Sequence, residues 1–327
     1  MRQRGTAAVL LIILLSGFCY AQAAGHHDQN PNDPFRLQKL TDSLYVLYGR
    51  GGNIGFLIGP ESVLVVDSQY RNLAPGIIQK IKSVTDKPIR YLINTHHHPD
   101  HVGGNDSFLP FALILAHDNV RKRMLESPSV IMKEYPAELE KAQKEGNQKA
   151  IDFYTEQIEW AKKVRVEEIA APFLTFDSEF RIYLGKDTIQ VWHTPPAHTD
   201  GDAVVYFEQQ KVIHMGDLLF NKVIPFIDIE GGGSVRGYLS AYDKVLARIP
   251  PDTTAIAGHG ETTDIAGLKA FRQYIQDLLD LASKAHADGK SKEQFVKEAD
   301  LPAYQDWDGY KDRFKECAAS AYDETKK

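Results

Sequence analysis

The feature that most constrains this chain is a dense cluster of histidine and aspartate that directly follows an apolar stretch. Residues 89–94 read Ile-Arg-Tyr-Leu-Ile-Asn, which is typical of a buried strand, and residues 95–101 read Thr-His-His-His-Pro-Asp-His. The cluster therefore opens a loop at a strand end. Neutral imidazole and carboxylate are the usual ligands of zinc and other borderline divalent metals. A solvated polar turn is the alternative interpretation, and the residue types favour metal binding.

The spacing within this cluster predicts two neighbouring metal positions. If the segment stays extended, His96 and His98 point in one direction and His97 in the other. Asp100 and His101 follow a proline and turn toward a second position. One loop would then supply ligands to two adjacent ions.

The composition is that of an ordinary globular protein, without an excess of basic residues. The chain has 327 residues, of which 43% are hydrophobic and 25% are charged. Its formal net charge of −6 argues against binding to nucleic acid or to an anionic membrane. We therefore expect a small-molecule substrate and no nucleic-acid partner. The composition does not define an oligomeric state.

The N-terminal residues have the features of a cleaved export signal. Arg2 and Arg4 precede the apolar run Ala7–Phe18, which is too short to span a bilayer. Ala21–Ala23 offers small residues at the spacing that signal peptidase recognises. We expect residues 1–23 to be removed and the mature protein to be periplasmic or secreted.

Cysteine usage adds little to this interpretation. A lipid anchor on Cys19 is disfavoured because Phe18, which precedes it, is too bulky for such sites, so we expect no membrane anchor. Removal of the signal leaves Cys317 as the single cysteine of the mature sequence, and one cysteine forms no internal disulfide. We expect Cys317 to be a half-buried or exposed thiol in a charged helical tail, without a role in metal binding.

Two similar blocks of strands followed by helices succeed one another along the mature chain. Short β-like runs fill residues 44–66, a helix is predicted at about 74–84, and a strand and a helix are predicted at 111–116 and 117–126. Strand signals return from residue 173 to residue 215, and a helical pattern runs from Ile265 to the end. We therefore predict an α/β (α+β) fold, in which two sheets pack face to face with helices outside.

A segment at about 127–165 interrupts the two blocks and is predicted to be a helical insertion. It is rich in Glu, Lys, Gln and Ala, and its apolar residues recur at helical spacing. We expect it to form a flap beside the active site, with an apolar pocket lined by Tyr135, Phe153, Tyr154 and Trp160. A helical pair that only covers the sheet or makes a dimer contact is the alternative.

Three later motifs also place chemically active side chains at strand ends. His198 lies in the loop Pro195–Asp202, Asp217 ends the strand that contains Val212, and His259 stands between two glycines. Glycine lets the backbone turn sharply and lets a ligand approach closely. Loops at the ends of strands are where a rigid sheet can hold a metal site.

Together these motifs resemble the signature of the metallo-β-lactamase superfamily. The order is His96-x-His98-x-Asp100-His101, followed by His198, Asp217 and His259, and it fills all seven ligand positions. The resemblance covers about residues 37–260. It implies a four-layer αββα sandwich, here with the helical insertion and a helical C-terminal tail. We place the catalytic domain at 24–262 and the C-terminal extension at 263–327.

The resemblance also implies a cofactor and a mechanism. It implies two Zn²⁺ ions per chain, with iron or manganese as alternatives and no other cofactor. It assigns the ligands as follows: His96, His98 and His198 for the first ion, Asp100, His101 and His259 for the second, and Asp217 as the bridge. Asp67 matches the aspartate that orients ligands from outside the metal shell. A hydroxide shared by the two ions would be the nucleophile, oriented by Asp100.

The remaining histidines and acids are expected to have structural roles. His97 should face away and pack or hydrogen-bond locally, and His193 should lie outside the site. For Asp228 the sequence leaves two interpretations open, a residue that supports the metal ligands or a turn aspartate. Structural roles are also expected for His117, His214, Asp200 and Asp202, and solvated positions for His26, His27 and His286.

The function predicted from these residues is that of an exported dinuclear zinc hydrolase that cleaves a C–O, C–N or C–S acyl bond in a lactone, lactam, ester or thioester. An iron-dependent persulfide dioxygenase and a true broad-spectrum β-lactamase are the alternatives. Zinc β-lactamases with a bridging cysteine carry a lysine three residues later, whereas this chain has Asp217 and Phe220. The aspartate bridge is similar to that of glyoxalase II and lactonases, so β-lactamase activity should be weak.

Overall fold

The computed structural model describes residues 33–326, which form two compact units. One unit contains Leu125–Ile169, and the other contains the described residues before and after that segment. The expected export signal and His26 and His27 lie outside the described residues. Between residues 33 and 326, no helix combines the length and the apolar character that crossing a membrane requires.

The first sheet has seven strands, and their spatial order follows their order along the chain. They are β1 (Arg36–Lys39), β2 (Leu44–Tyr48), β3 (Ile54–Ile58), β4 (Val63–Val66), β5 (Ile89–Ile93), β6 (Leu113–His117) and β7 (Leu174–Phe176). Strands β1 to β4 pair antiparallel, and β4 to β7 pair parallel. The parallel strands β4, β5 and β6 therefore end at the same edge of the sheet.

The second sheet has five strands, again in chain order. They are β8 (Glu179–Leu184), β9 (Asp187–His193), β10 (Ala203–Phe207), β11 (Val212–His214) and β12 (Thr254–Ile256). All neighbouring pairs are antiparallel except β11 and β12, which are parallel. The residues that follow β11 and β12 therefore lie at the same edge of the second sheet.

The two sheets share an apolar core, as the alternation of side chains along the strands requires. Val46 and Leu64 of the first sheet pack in one cluster with Val191 and Val205 of the second. The opposite face of the first sheet, which includes Leu47, packs against the first helix in another cluster. Each such fully buried aliphatic side chain contributes roughly 1.5–3 kcal/mol to folding.

The helices complete a four-layer αββα sandwich, which confirms the predicted fold class. Those of the described residues are α1 (Ala74–Lys82), α2 (Pro99–Val102), α3 (Asn105–Phe108), α4 (Asp118–Glu145), α5 (Gln148–Lys163), α6 (Val235–Leu246), α7 (Ile265–Ala287), α8 (Lys292–Glu298) and α9 (Tyr310–Thr325). Helix α7 packs against α6, α9 and β12. The helical tail is therefore part of the larger compact unit.

The helical insertion has its own small core. Tyr135 of α4 and Tyr154 and Ile158 of α5 are buried in one cluster, and the pocket predicted beside them stays a prediction. The helix predicted at 117–126 is longer than expected, because α4 runs on through Pro128 and Pro136. A proline inside a helix lacks an amide donor, which is why the sequence predicts a break there.

Candidate metal centre

The histidine cluster lies where β5 ends and the short helix α2 begins. His98 has an extended backbone and is the residue before Pro99, which is the first residue of α2. The extended segment directs His96 and His98 to one group, and the helix carries Asp100 and His101 to another. The two positions predicted from the spacing are therefore present.

The first group contains His96, His98, His198 and Asp217, whose ligand atoms lie within 4.8 Å of one another. The three imidazole rings stand nearly perpendicular to each other, with centroids 4.6–4.8 Å apart. Nε2 of His198 is 2.9 Å from Nδ1 of His98. All four residues are buried.

The outer nitrogen of each ring in this group has a protein partner. Nδ1 of His96 is 3.1 Å from the hydroxyl of Thr95, and Nδ1 of His198 is 2.8 Å from the carbonyl oxygen of Phe226. Nε2 of His98 is 2.9 Å from Oδ2 of Asp228. These partners fix the ring orientations and leave Nε2 of His96, Nδ1 of His98 and Nε2 of His198 for a ligand.

The second group contains Asp100, His101 and His259. Nε2 of His259 is 3.3 Å from Oδ2 of Asp100 and 3.3 Å from Oδ2 of Asp217. Nε2 of His101 is 3.0 Å from Oδ1 of Asp217. Asp217 also reaches the first group, with Oδ2 3.5 Å from Nε2 of His198. Its carboxylate therefore lies between the two groups.

Asp67 lies outside both groups and orients one histidine of each. It is fully buried and accepts hydrogen bonds from the amide and the hydroxyl of Thr95, and its Oδ2 is 2.8 Å from Nδ1 of His101. Its backbone has a φ of 66°, a left-handed conformation that Asp and Asn tolerate better than most residues. One carboxylate thus orients His101 directly and His96 through Thr95.

Several buried polar atoms at the centre have no hydrogen bond within the described part of the chain. They are Nε2 of His96, and Nε2 of His101 and Oδ1 of Asp217, which lie 3.0 Å apart but without hydrogen-bond geometry. Leaving a buried polar atom without a partner costs about 1–3 kcal/mol. A divalent ion accepts donation from all three atoms, so these residues fit a metal.

The protonation states of His96, His198 and Asp100 suit metal binding, whereas His101 would have to lose a proton to bind a metal. Burial lowers the pKa of His198 to about 4 and the pKa of His96 well below its usual value, so both rings are neutral at pH 7. Burial opposes charge on His101 too, but the carboxylates of Asp217 and Asp100 raise its pKa. The pKa of Asp100 falls to about 2 because His101 and His259 outweigh the effect of burial.

Asp228 fills both of the roles that the sequence left open. Its Oδ2 contacts His98, while its Oδ1 accepts a hydrogen bond from the amide of Gly231. Burial disfavours its charge, yet the hydrogen bond with His98 holds its pKa well below the usual value. His97 belongs to neither of the two ligand groups, and its Nε2 lies 3.6 Å from Asp228, with which it and His98 form a third group.

The other histidines have structural contacts. His193 stacks on His117 at a centroid distance of 3.8 Å, and its Nδ1 is 2.9 Å from the carbonyl oxygen of Asp202. His214 is within hydrogen-bond distance of the carbonyl of Asn53. His286 is half-buried against Tyr322, so the expectation that it is a solvated residue is wrong.

The aspartates of the His198 loop stabilise that loop, as expected. Asp200 accepts two hydrogen bonds from Arg123, and Asp202 accepts hydrogen bonds from the amide and the hydroxyl of Thr199. Burial raises the pKa of Asp202 to about 7. The expectation that Cys317 is half-buried or exposed is wrong, because only 3% of the residue is exposed.

Sequence reasoning missed several residues that hold the centre in place. The hydroxyl of Tyr238 donates to the carbonyl of Asp217, and Phe220 stacks on the ring of His259 at 5.2 Å. The carbonyl of Phe226 orients His198. A carbonyl group is present in every residue, so no sequence pattern could have identified the last contact.

Comparison with known proteins relates the chain to one family. The family model for the metallo-beta-lactamase superfamily matches residues 47–259. An uncharacterized protein of Aquifex aeolicus is 36% identical over 98 residues, which are 30% of this chain and 46% of that protein. The chain thus spans under half the length of the first curated relatives that it matches. The metallo-beta-lactamase type 2 of Elizabethkingia meningoseptica is 23% identical over 264 residues, 76% of this chain and 85% of the relative.

Solved structures share the fold at low sequence identity. A metallo-beta-lactamase from Pontibacter korlensis matches with a TM-score of 0.54 and 16% identity over 74% of this chain and 99% of that chain. The stereoselective inverting sec-alkylsulfatase Pisa1 from Pseudomonas sp. matches with a TM-score of 0.65 and 15% identity over 88% of this chain and 50% of that chain. These two likenesses concern the fold.

Proposed function

This chain belongs to the metallo-β-lactamase superfamily, most of whose members are hydrolases, and on this basis we propose that it is a dinuclear metallohydrolase of acyl bonds. The observation that carries the proposal is the pair of adjacent ligand groups with Asp217 between them. The first ion would bind His96, His98 and His198. The second would bind Asp100, His101 and His259, with Asp217 shared.

Two ions held in this way would lower the pKa of a water molecule and would polarise a substrate carbonyl. The protein's own contribution is to hold the ligands in place. Asp67 and Asp228 keep the imidazoles of His101 and His98 oriented through hydrogen bonds on their outer nitrogens. The side chain of Asp100 is 19% exposed, which makes it the most open carboxylate of the two groups. It is ionised at neutral pH and can accept a hydrogen bond from the attacking water, which would orient that water.

The ligand set favours zinc, and a lactone, ester or thioester as substrate. Imidazole and carboxylate suit zinc, and the absence of a thiolate ligand leaves iron and manganese as alternatives. Phe220 occupies the position where cysteine-bridged β-lactamases carry a lysine, and its ring is buried against His259. It therefore offers no positive charge for a β-lactam carboxylate.

A substrate panel tests this proposal. The zinc-loaded and the manganese-loaded protein are assayed with an acyl-homoserine lactone, a thioester, a penicillin, a cephalosporin, a carbapenem and a sec-alkyl sulfate. We expect the lactone or the thioester to be hydrolysed with a kcat/KM in the range of roughly 10⁴–10⁸ M⁻¹s⁻¹. Carbapenem turnover in that range would overturn the substrate class, and cleavage of the sulfate alone would overturn acyl hydrolysis.

We also propose that the mature protein is exported. The support is the basic start, the short apolar run Ala7–Phe18 and the small residues at 21–23. N-terminal sequencing of protein recovered from a Gram-negative host should find a chain that begins close to residue 24. An intact Met1 in the cytoplasmic fraction would contradict export.

A further inference from the structure

The loop of residues 222–234 supplies two of the contacts that orient the first ligand group. The carbonyl of Phe226 is 2.8 Å from Nδ1 of His198, and Asp228 is 2.9 Å from Nε2 of His98. The position of this loop therefore determines the direction of two of the three imidazoles. The loop itself contains no helix or strand apart from single bridges. The amide of Asp228 donates to the carbonyl of His198 at 3.0 Å, and further contacts come from α9 and the segment that precedes it.

The start of the loop pairs with the segment that precedes α9. The amide of Ile224 donates to the carbonyl of Asp308 at 2.8 Å, and the amide of Asp308 donates to the carbonyl of Lys222 at 3.0 Å. This pairing resembles a short piece of sheet. It connects the loop to residues about 50 positions beyond the end of the family match at 259.

The middle of the loop is held by Cys317 of α9. Its Sγ donates to the carbonyl of Pro225 at 3.1 Å, one residue before the carbonyl that orients His198. Burial raises the pKa of Cys317 to about 12, so the thiol keeps the proton that it donates. A thiol is a weak donor, but here it provides the hydrogen bond that the carbonyl of Pro225 would otherwise lack.

The end of the loop is held by Glu324, also on α9. Its carboxylate accepts hydrogen bonds from the hydroxyl of Ser234 at 3.0 Å and from the amides of Val235 and Arg236 at 2.7 and 3.0 Å. These amides belong to the first turn of the 12-residue helix α6, where backbone donors lack partners within the helix and a negative charge is favourable.

The end of the loop in turn supports His198 from its other side. The amide of Ser234 donates to the carbonyl of Ala197 at 2.7 Å. The first turn of α6 also packs closely on this segment, because a Cβ on Gly237 would lie 1.7 Å from the carbonyl oxygen of Pro196. A shift of the start of α6 would therefore displace the residues directly before His198.

We propose that helix α9 is a positioning element of the first ligand group, and that Cys317 and Glu324 are its positioning residues. This inference rests on the proposed metal centre. Neither residue contacts a ligand side chain, so each acts through the 222–234 loop. The contacts that orient the second ligand group come from residues outside this loop, because Asp67 lies 2.8 Å from Nδ1 of His101 and Phe220 stacks on the ring of His259. The two metal positions should therefore respond differently when α9 is altered.

The test is a metal titration of the full-length chain and its variants with Co²⁺, followed by visible spectroscopy. The variants are Cys317→Ala, Cys317→Ser and Glu324→Gln. Asp323→Asn is the matched control, because it lies beside Glu324 but its carboxylate is exposed and pairs only with Lys292. Circular dichroism establishes that each variant is folded.

We expect Cys317→Ala and Glu324→Gln to weaken Co²⁺ binding at one position by roughly 10–100-fold, the range typical when a supporting contact of a metal ligand is lost. Binding at the other position should stay within about threefold of wild type. Cys317→Ser keeps a donor and should restore the wild-type titration and spectrum, and Asp323→Asn should match wild type.

Equal weakening of both positions, or no change at either, would overturn the positioning role of α9. If Glu324→Gln does not fold, the comparison of Cys317→Ala with Cys317→Ser decides the question alone. Failure of the proposed function gives a different result, because the wild-type chain would then bind no Co²⁺ at these groups.

Discussion

At the scale of single residues, the centre depends on which nitrogen of each imidazole stays available for a ligand. Asp67, Asp228 and the carbonyl of Phe226 each occupy one outer nitrogen, and the inner nitrogens then converge. The sequence predicts the ligands themselves because histidine and aspartate are rare enough to form a recognisable pattern. It does not predict the carbonyl, nor the contact of His97 with Asp228, because both depend on how distant loops meet.

The role of Asp67 can be separated from its backbone conformation. In the variant Asp67→Asn, asparagine tolerates the positive φ but lacks the charge that pairs with Nδ1 of His101. We expect the affinity for zinc at the second ligand group to fall by roughly 10–100-fold. Isothermal titration calorimetry with zinc measures this affinity, and the surface variant Asp106→Asn is the control. An affinity equal to wild type would mean that Asp67 does not orient His101.

His193 makes a testable contribution to the dependence of stability on pH. Burial and the neighbouring His117 lower its pKa to about 4 from the usual 6.5, so the unfolded chain binds the proton more tightly. The stability that the neutral ring provides is therefore complete above pH 6.5 and is lost as the pH falls toward 4. At pH 5 the loss is about 1 kcal/mol, after discounting for the exposed part of the ring.

The variant His193→Phe keeps a ring to stack on His117 but has no proton to bind. We expect its free energy of unfolding in urea to fall less than that of wild type between pH 7.5 and pH 5. Parallel pH profiles for the two proteins would show that His193 does not carry this dependence.

At the scale of elements, the ends of parallel strands determine where the chemistry lies. Strands β4, β5, β11 and β12 end shortly before Asp67, the histidine cluster, Asp217 and His259 respectively. Short apolar runs predicted these strands, whereas β1, with the sequence Arg-Leu-Gln-Lys, has too little apolar character to be recognised. Pro128 and Pro136 indicated a break that does not occur, so the sequence did not reveal that α4 is continuous.

The helical insertion should affect the substrate more than the metal. Its residues Leu125–Ile169 form a separate unit with its own core, and none of the seven ligands lies within it. We expect replacement of this segment by a short glycine-serine linker to change KM and the range of substrates while both ions remain bound. Metal analysis and Michaelis–Menten kinetics on the same preparation measure this. Loss of metal would show that the insertion is required for the centre.

At the scale of the whole molecule, the order of strands and helices was sufficient to predict two facing sheets with helices outside. The order does not reveal that the C-terminal helices support the centre, because the contacts of Cys317 and Glu324 join residues about 90 positions apart. Such contacts become visible only when the chain is folded. The ligands come from both sheets, so the sandwich must be complete before the metal positions form.

The most direct measurement is the metal content of the full-length protein, purified without added metal and analysed by inductively coupled plasma mass spectrometry. We predict two divalent ions per chain, predominantly zinc, and fewer in the variant His198→Ala, together with a loss of activity by orders of magnitude. A protein that stays free of metal after incubation with zinc, or that holds a single iron and consumes oxygen, would contradict the dinuclear hydrolytic centre.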